Sequence, residues 1–221
     1  MAIPGYSLSV LGGDIDSRAR TDRRLYFWTD AVLLPLVTLG IWGFVLIYRL
    51  INRRDEHFRR EAQLDRDLLQ SLKDRLQARS VDPYNLPEMA ALERAIRDKE
   101  MSEQPRNAVL WLIVSLVTSG LGTLVIEYFA TVDWYYHEQR QIEVVRRSNA
   151  LLAAANIPAS LQYTYDEVLP ERHFWLNLIA TMASFGIWGI WWGYHMLADG
   201  NRHYENQWRW EDSLSTQIAA L

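Results

Sequence analysis

Three histidines carry the most suggestive chemistry in this chain, because imidazole titrates near neutral pH and is a common nitrogen ligand for metals. His57, His137 and His203 each stand 17 positions after a glycine (40 to 57, 120 to 137, 186 to 203), and Tyr48, Tyr128 and Tyr194 each stand 8 positions after the same glycines. A metal site or a proton relay is one reading of such a series; surface positions near lipid headgroups are the other. Glu127 is a second candidate, a lone carboxylate inside a long apolar run, where desolvation penalises the charged form. It stands about a turn from the end of that run, within reach of interfacial water or of an arginine such as Arg24 or Arg172. A third is a polar stripe. Thr38, Trp42 and Arg49 share one helix face, as do Ser184, Trp188 and His195, with Asn177 and Thr181 extending the second set. Such hydroxyls either bond the backbone of the preceding turn or line a conduit.

No other chemistry is legible. The chain has no cysteine, hence no disulfide and no thiolate metal site, and it lacks a phosphate-cradling glycine loop, a nucleophile elbow and a zincin helix. No catalytic residue, cofactor or metal is expected. The net charge of -4, with basic and acidic residues interleaved, gives no support to nucleic-acid binding.

The elements that must position these residues are unusually apolar. Stretches 27–49, 108–130 and 174–198 are almost free of formal charge, and as helices each would span about 35 Å, slightly more than a hydrocarbon core of about 30 Å. The expectation is an all-α membrane protein, with three tilted transmembrane helices and long amphipathic helical extensions outside the bilayer. Many of the ten Trp and eleven Tyr gather at the ends of these stretches, as amphipathic rings do at a membrane interface.

The three stretches are copies of one unit. "LVTLG" (36–40), "LVTSG" (116–120) and "MASFG" (182–186) align without gaps, and the register extends to the tyrosines and histidines. The division that follows is a polar arm (1–24), unit 1 (25–80), a return helix and linker (81–106), unit 2 (107–157), a loop (158–172) and unit 3 (173–221). The phrase "ASFGIWGIWWGYHMLADGNRHYENQ", with its Gly-Ile-Trp-Gly core, Tyr and polar His-Tyr segment, resembles the bacterial membrane family known as domain of unknown function 4234. The resemblance covers units 1 and 3 well and unit 2 poorly. It implies an integral bacterial membrane protein and no particular activity.

Gly40, Gly43, Gly120, Gly122, Gly186, Gly189 and Gly193 offer smooth faces for close helix packing in lipid, within the bundle or between subunits. After the first span, 51–80 continues as a helical stalk. A helix near 88–101 folds back on it, and the last segment lies at the interface through Trp208 and Trp210. Counting Lys and Arg places 51–106 and the C terminus in the cytoplasm. If each unit crosses the bilayer, successive units alternate in direction. His57 and His203 then lie on one side and His137 on the other, which excludes a shared three-histidine site.

The function expected is a non-enzymatic scaffold or accessory subunit in the bacterial inner membrane, multi-pass, in contact with the lipid bilayer and forming a homo-oligomer or part of a membrane complex. A small channel or transporter, and a membrane-embedded enzyme acting on lipid, are the alternatives.

Overall fold

The computed structural model describes residues 6–163 and 168–221; residues 1–5 of the arm and 164–167 of the loop lie outside the described residues. Every regular element among them is helical. In order these are α1 (Tyr6–Thr21), a π-helical stretch (Phe27–Leu33) that runs straight into α2 (Leu34–Val37), α3 (Ile41–Ala78), a 3-10 turn (Pro83–Asn85), α4 (Pro87–Ser102), α5 (Ala108–Val117), α6 (Leu121–Ala154), α7 (Phe174–Ala183) and α8 (Ile187–Ala219).

The expected spans do not form continuous helices. Each breaks at its middle and turns back, and no helix among the described residues is long and apolar enough to cross a membrane. The break is written in the repeated phrase. Leu39, Ser119 and Phe185 adopt φ near +51°, and the following Gly40, Gly120 and Gly186 have φ of +89°, +96° and +92°, a backbone region where a Cβ is disfavoured. The glycine N–H reaches back five residues to Pro35, Ser115 or Thr181, at 2.8 Å in each case, the outer bond of a Schellman helix end.

The Thr or Ser before each turn completes it. Thr38 Oγ1 donates to the Leu34 carbonyl and accepts from the Trp42 N–H. Thr118 does the same between Val114 and Gly122, and Ser184 between Thr181 and Trp188. One hydroxyl thus serves a free carbonyl of the incoming helix and a free N–H of the outgoing one. Each unit is therefore a hairpin: a short apolar helix, a three-residue corner and a long helix. In the first, Pro35 cannot donate to the carbonyl four residues before it, and the preceding helix widens to i→i+5 bonding, with Leu34 N–H on the Thr29 carbonyl.

The three long helices α3, α6 and α8 run parallel around a common axis, with all three corners at one end. Each long helix packs on the short arm of the next unit: α3 on α5, α6 on α7, and α8 on the π-helical stretch. The three tyrosines occupy equivalent half-exposed positions. The Tyr194 ring meets Phe27 at 6.0 Å and the Tyr128 ring meets Phe174 at 5.5 Å. Beyond the hairpins, α1 packs on α3 and α8, and α4 folds back between α3 and α6. Leu64, Leu68, Leu72, Leu92, Val144, Leu151 and Leu214 form the distal core.

The polar arm forms helix α1, anchored by buried Leu11 and Ile15. Two further expectations are corrected. The C-terminal segment does not lie on an interface: it continues α8, with Trp210 fully buried and Trp208 donating to Asp22 at 2.6 Å. The units are parallel rather than alternating, because a hairpin returns the chain to the side it came from.

Candidate functional site

The parallel arrangement brings the three histidines together on the axis. His57 Nε2 lies 3.1 Å from His203 Nε2 and 3.3 Å from Glu61 Oε2, and His137 Nε2 touches the same carboxylate oxygen. One ligand-type atom from each of these four residues falls within 4.8 Å of all the others, and all four side chains are fully buried. The expectation that these histidines cannot share a site is thus overturned. It rested on each unit crossing the bilayer.

Each ring has a carboxylate behind it. His57 Nδ1 is 2.8 Å from Asp22 Oδ1, His137 Nδ1 is 2.9 Å from Glu103 Oε2, and His203 Nδ1 is 3.8 Å from Glu138 Oε1. The second oxygen of Glu61 accepts from Lys99 Nζ at 2.8 Å, and Lys99 also donates to Asp65 at 2.7 Å. Asp22 is held further by Arg60 at 3.0 Å, and Glu138 accepts from the Leu169 N–H at 2.6 Å. Phe58 stacks on His137 at 3.9 Å, while Trp134 and Tyr204 wall the other sides.

The electrostatics follow from burial set against pairing. Burial opposes charge on His137, but Glu103 and Glu61 outweigh it and lift its pKa to about 9. His203, buried and facing His137 and His57, is held well below the ordinary imidazole value. Burial alone would raise Glu61, yet His137 and Lys99 bring it well below the usual carboxylate range. On the far side of Lys99, burial prevails over the ammonium and Asp65 is raised to about 6. Such a cluster can hold a proton on His137 or a cation among all four groups; His57, Glu61, His137 and His203 are the residues placed to ligate a metal.

The other sequence candidates lie toward the corners and bond locally. Thr181 Oγ1 donates to the Asn177 carbonyl at 2.8 Å, and Asn177 Oδ1 accepts from Trp188 Nε1 at 3.0 Å. His195 Nδ1 lies 2.9 Å from Arg172. Arg172 pairs with Asp199 and Arg24 with Glu205, so neither serves Glu127. Of the glycines beside the corners, Gly122 and Gly189 pack within their own hairpins: a Cβ would come within 2.9 Å of the Ser115 backbone and of Thr181 Cγ2, respectively. At Gly193 a Cβ would meet Phe27 of the neighbouring hairpin at 3.5 Å, whereas at Gly43 it would face open space.

The corner end is a second candidate surface. Leu39 is 95% and Phe185 98% exposed, with Leu36, Val117, Leu121, Met182 and Ile187 exposed around them. No formal charge occurs in 31–48, 107–126 or 174–194. Ion pairs close the base of each hairpin: Asp30 with Arg49 at 3.5 Å, Arg106 with Asp133 at 3.4 Å, and Arg172 with Asp199.

Sequence reasoning passed over Glu61, although it follows His57 by one helical turn. It also passed over Asp22 and Glu103, which precede their corner glycines by 18 and 17 positions (22 to 40, 103 to 120). In unit 3 the corresponding position is Leu169 (169 to 186), and Glu138 supplies the carboxylate instead. No protein-family model, no curated protein and no solved structure matches this chain.

Proposed function

We propose that this chain is a monotopic membrane scaffold or accessory subunit: three apolar hairpins sink into one leaflet and hold a helical bundle upright on that face. The observation that carries this reading is the exposure of large apolar side chains at all three corners, far more than a surface in water tolerates. Depth supports it. About ten residues separate the first corner from the nearest charges of its unit, Asp30 and Arg49, roughly 15 Å of helix and half of a hydrocarbon core of about 30 Å.

Backbone satisfaction supports it as well. Lipid offers no hydrogen bonds to irregular backbone, and the Thr or Ser hydroxyl with the glycine N–H meets much of that need within each corner. Trp28 and Trp175 are exposed near the hairpin bases, the level at which a headgroup belt begins. A channel draws no support from the polar stripe, whose hydroxyls bond their own helices.

The absence of cysteine makes the test direct. Gln70 and Arg146 are exposed positions on the extensions of units 1 and 2. With single substitutions Gln70→Cys and Arg146→Cys, a membrane-impermeant maleimide should label both from the same side of sealed vesicles. Labelling from opposite sides would restore three crossing helices and end the monotopic reading. Full recovery of the chain in the supernatant after alkaline carbonate extraction would end the membrane reading altogether.

A further inference from the structure

We propose that His57, Glu61, His137 and His203 bind one Zn2+ ion per chain, in a closed tetrahedral site on the axis of the three repeats. A neutral imidazole has one N–H and one lone pair. The Nδ1 atoms of His57 and His137 lie at hydrogen-bond distance from Asp22 and Glu103, and that of His203 faces Glu138. Protons placed there leave three Nε2 lone pairs and the Glu61 carboxylate aimed at one another. Around this point Glu61 Oε2, both ring nitrogens of His137, His203 Nδ1 and Glu138 Oε1 are buried without a well-directed hydrogen bond, although His137 Nε2 touches Glu61 Oε2. Lone pairs gathered with an anion repel, and a cation between them removes the conflict.

The spacing fits. Ligands about 2.0–2.2 Å from a tetrahedral zinc are separated from each other by about 3.3–3.6 Å. Here His57 Nε2 is 3.1 Å from His203 Nε2 and 3.3 Å from Glu61 Oε2, with the whole set inside 4.8 Å; His137 Nε2, which touches Glu61 Oε2, must draw back to the ligand spacing when the ion enters. The supporting groups fit too. Metal-bound histidines donate their other N–H to carboxylates, and metal-bound carboxylates are themselves hydrogen-bonded. Asp22, Glu103 and Glu138 stand behind the three rings, and Lys99 holds the distal oxygen of Glu61.

The donor set selects the ion class. Three imidazoles and one carboxylate, with no thiolate in the chain, suit Zn2+ far better than Mg2+ or Ca2+, which prefer all-oxygen shells. Four protein ligands fill a tetrahedron, and full burial leaves no open position for a substrate, so the ion is structural rather than catalytic. It ties the three units together at one point, one histidine from each. This inference does not depend on membrane insertion, and its readouts are metal content and stability.

The full chain, purified without chelator, is expected to carry one Zn2+ by plasma mass spectrometry, and His57→Gln and His203→Gln to carry none. Adding Zn2+ to stripped protein, at a free concentration about 100 times the dissociation constant, should raise the melting temperature by about 5–10 °C. Co2+ in its place should give the strong visible absorption of a tetrahedral cobalt site. Glu103→Gln keeps all four ligands, and is expected to keep the fold and weaken Zn2+ binding by about 10–100-fold. A metal-free wild type whose melting temperature ignores added Zn2+ overturns the proposal and leaves a proton on His137 as the charge-balancing cation. One equivalent of Zn2+ retained in both histidine variants overturns it as well, because the ion then sits elsewhere.

Discussion

Leu39 and Phe185, at two of the corners, are almost wholly exposed, whereas Arg53, Glu61 and Lys99, farther along the same bundle, are almost wholly buried. The corner half turns its apolar side chains outward; the distal half turns charged ones inward. In water each choice is unfavourable, but only the second is compensated inside the protein. Lys99 lies between Glu61 and Asp65. Arg60 bridges Asp22 and Glu211, and Arg53 donates to the Met196 and Leu197 carbonyls of α8. None of the described residues covers Leu39 or Phe185. The contrast teaches that the two halves treat burial differently: the distal half pairs the charges it buries, and the corner half leaves its apolar side chains exposed.

Reversing the corner half should have the largest effect. With the corners in lipid as proposed, Phe185→Asp forfeits about 2–3 kcal/mol of apolar burial and adds a carboxylate that costs about 2.5–3.5 kcal/mol at depth. With Leu39→Asp added, the chain should move from the vesicle-bound to the unbound fraction in a flotation gradient. Its helical circular dichroism in detergent should be unchanged. Flotation equal to wild type would show that the corners are not the anchor.

Breaking the distal half comes next. Lys99→Met leaves Glu61 and Asp65 buried without their shared cation, and truncating one partner of a buried pair costs about 3–5 kcal/mol. Urea unfolding should show this loss, while flotation stays intact. A variant as stable as wild type would mean that the buried charges do not hold this end together.

A finer comparison lies within the corner half. Gly122→Ala pushes a methyl to 2.9 Å from the Ser115 backbone, and overpacking of this kind costs about 1–3 kcal/mol. Gly43→Ala meets nothing within 4 Å in a helical position, and should stabilise by about 0.5–1 kcal/mol. Opposite signs in thermal unfolding would separate glycines that pack a hairpin from one that does not. Two losses of equal size would refute that distinction.

Much of this was legible in the sequence. The register of glycine, tyrosine and histidine located three units and their equivalent positions, and the missing charges located the apolar arms. What misled was continuity: a run of about 24 apolar residues has the length of a crossing helix, and hydropathy has no feature for a corner. The signal was present as Thr or Ser, one residue, then glycine at the centre of each run, with Pro35 just before the first. That pattern ends helices. Reading a hairpin as a span reverses the direction of every following unit, and that reversal is what sets His137 apart from His57 and His203. Asp22 and Glu103 stand at nearly equal distances before their corner glycines, whereas Glu138, which serves His203 from the neighbouring unit, carries no spacing signal and is shown only by the packing.

The smallest expected effect concerns how α1 is fastened to the distal half. Burial raises the Asp14 carboxyl from 3.8 to about 7, assisted by Asp67 and Glu211 and opposed by Arg60. An acid whose pKa is raised on folding binds its proton more tightly when folded. Its contribution to stability is therefore full below about pH 4, falls as pH climbs toward 7, and becomes a penalty once both states are ionised. Asp14→Asn removes this dependence. Since Asp14 is partly exposed, solvent screening keeps the effect small, and melting temperatures of wild type and variant should coincide near pH 4 and separate slightly in favour of the variant by pH 8. A wild type that gains on the variant over that range would place an unshielded cation beside Asp14. It would also reverse the view that burial, rather than pairing, governs this edge of the bundle.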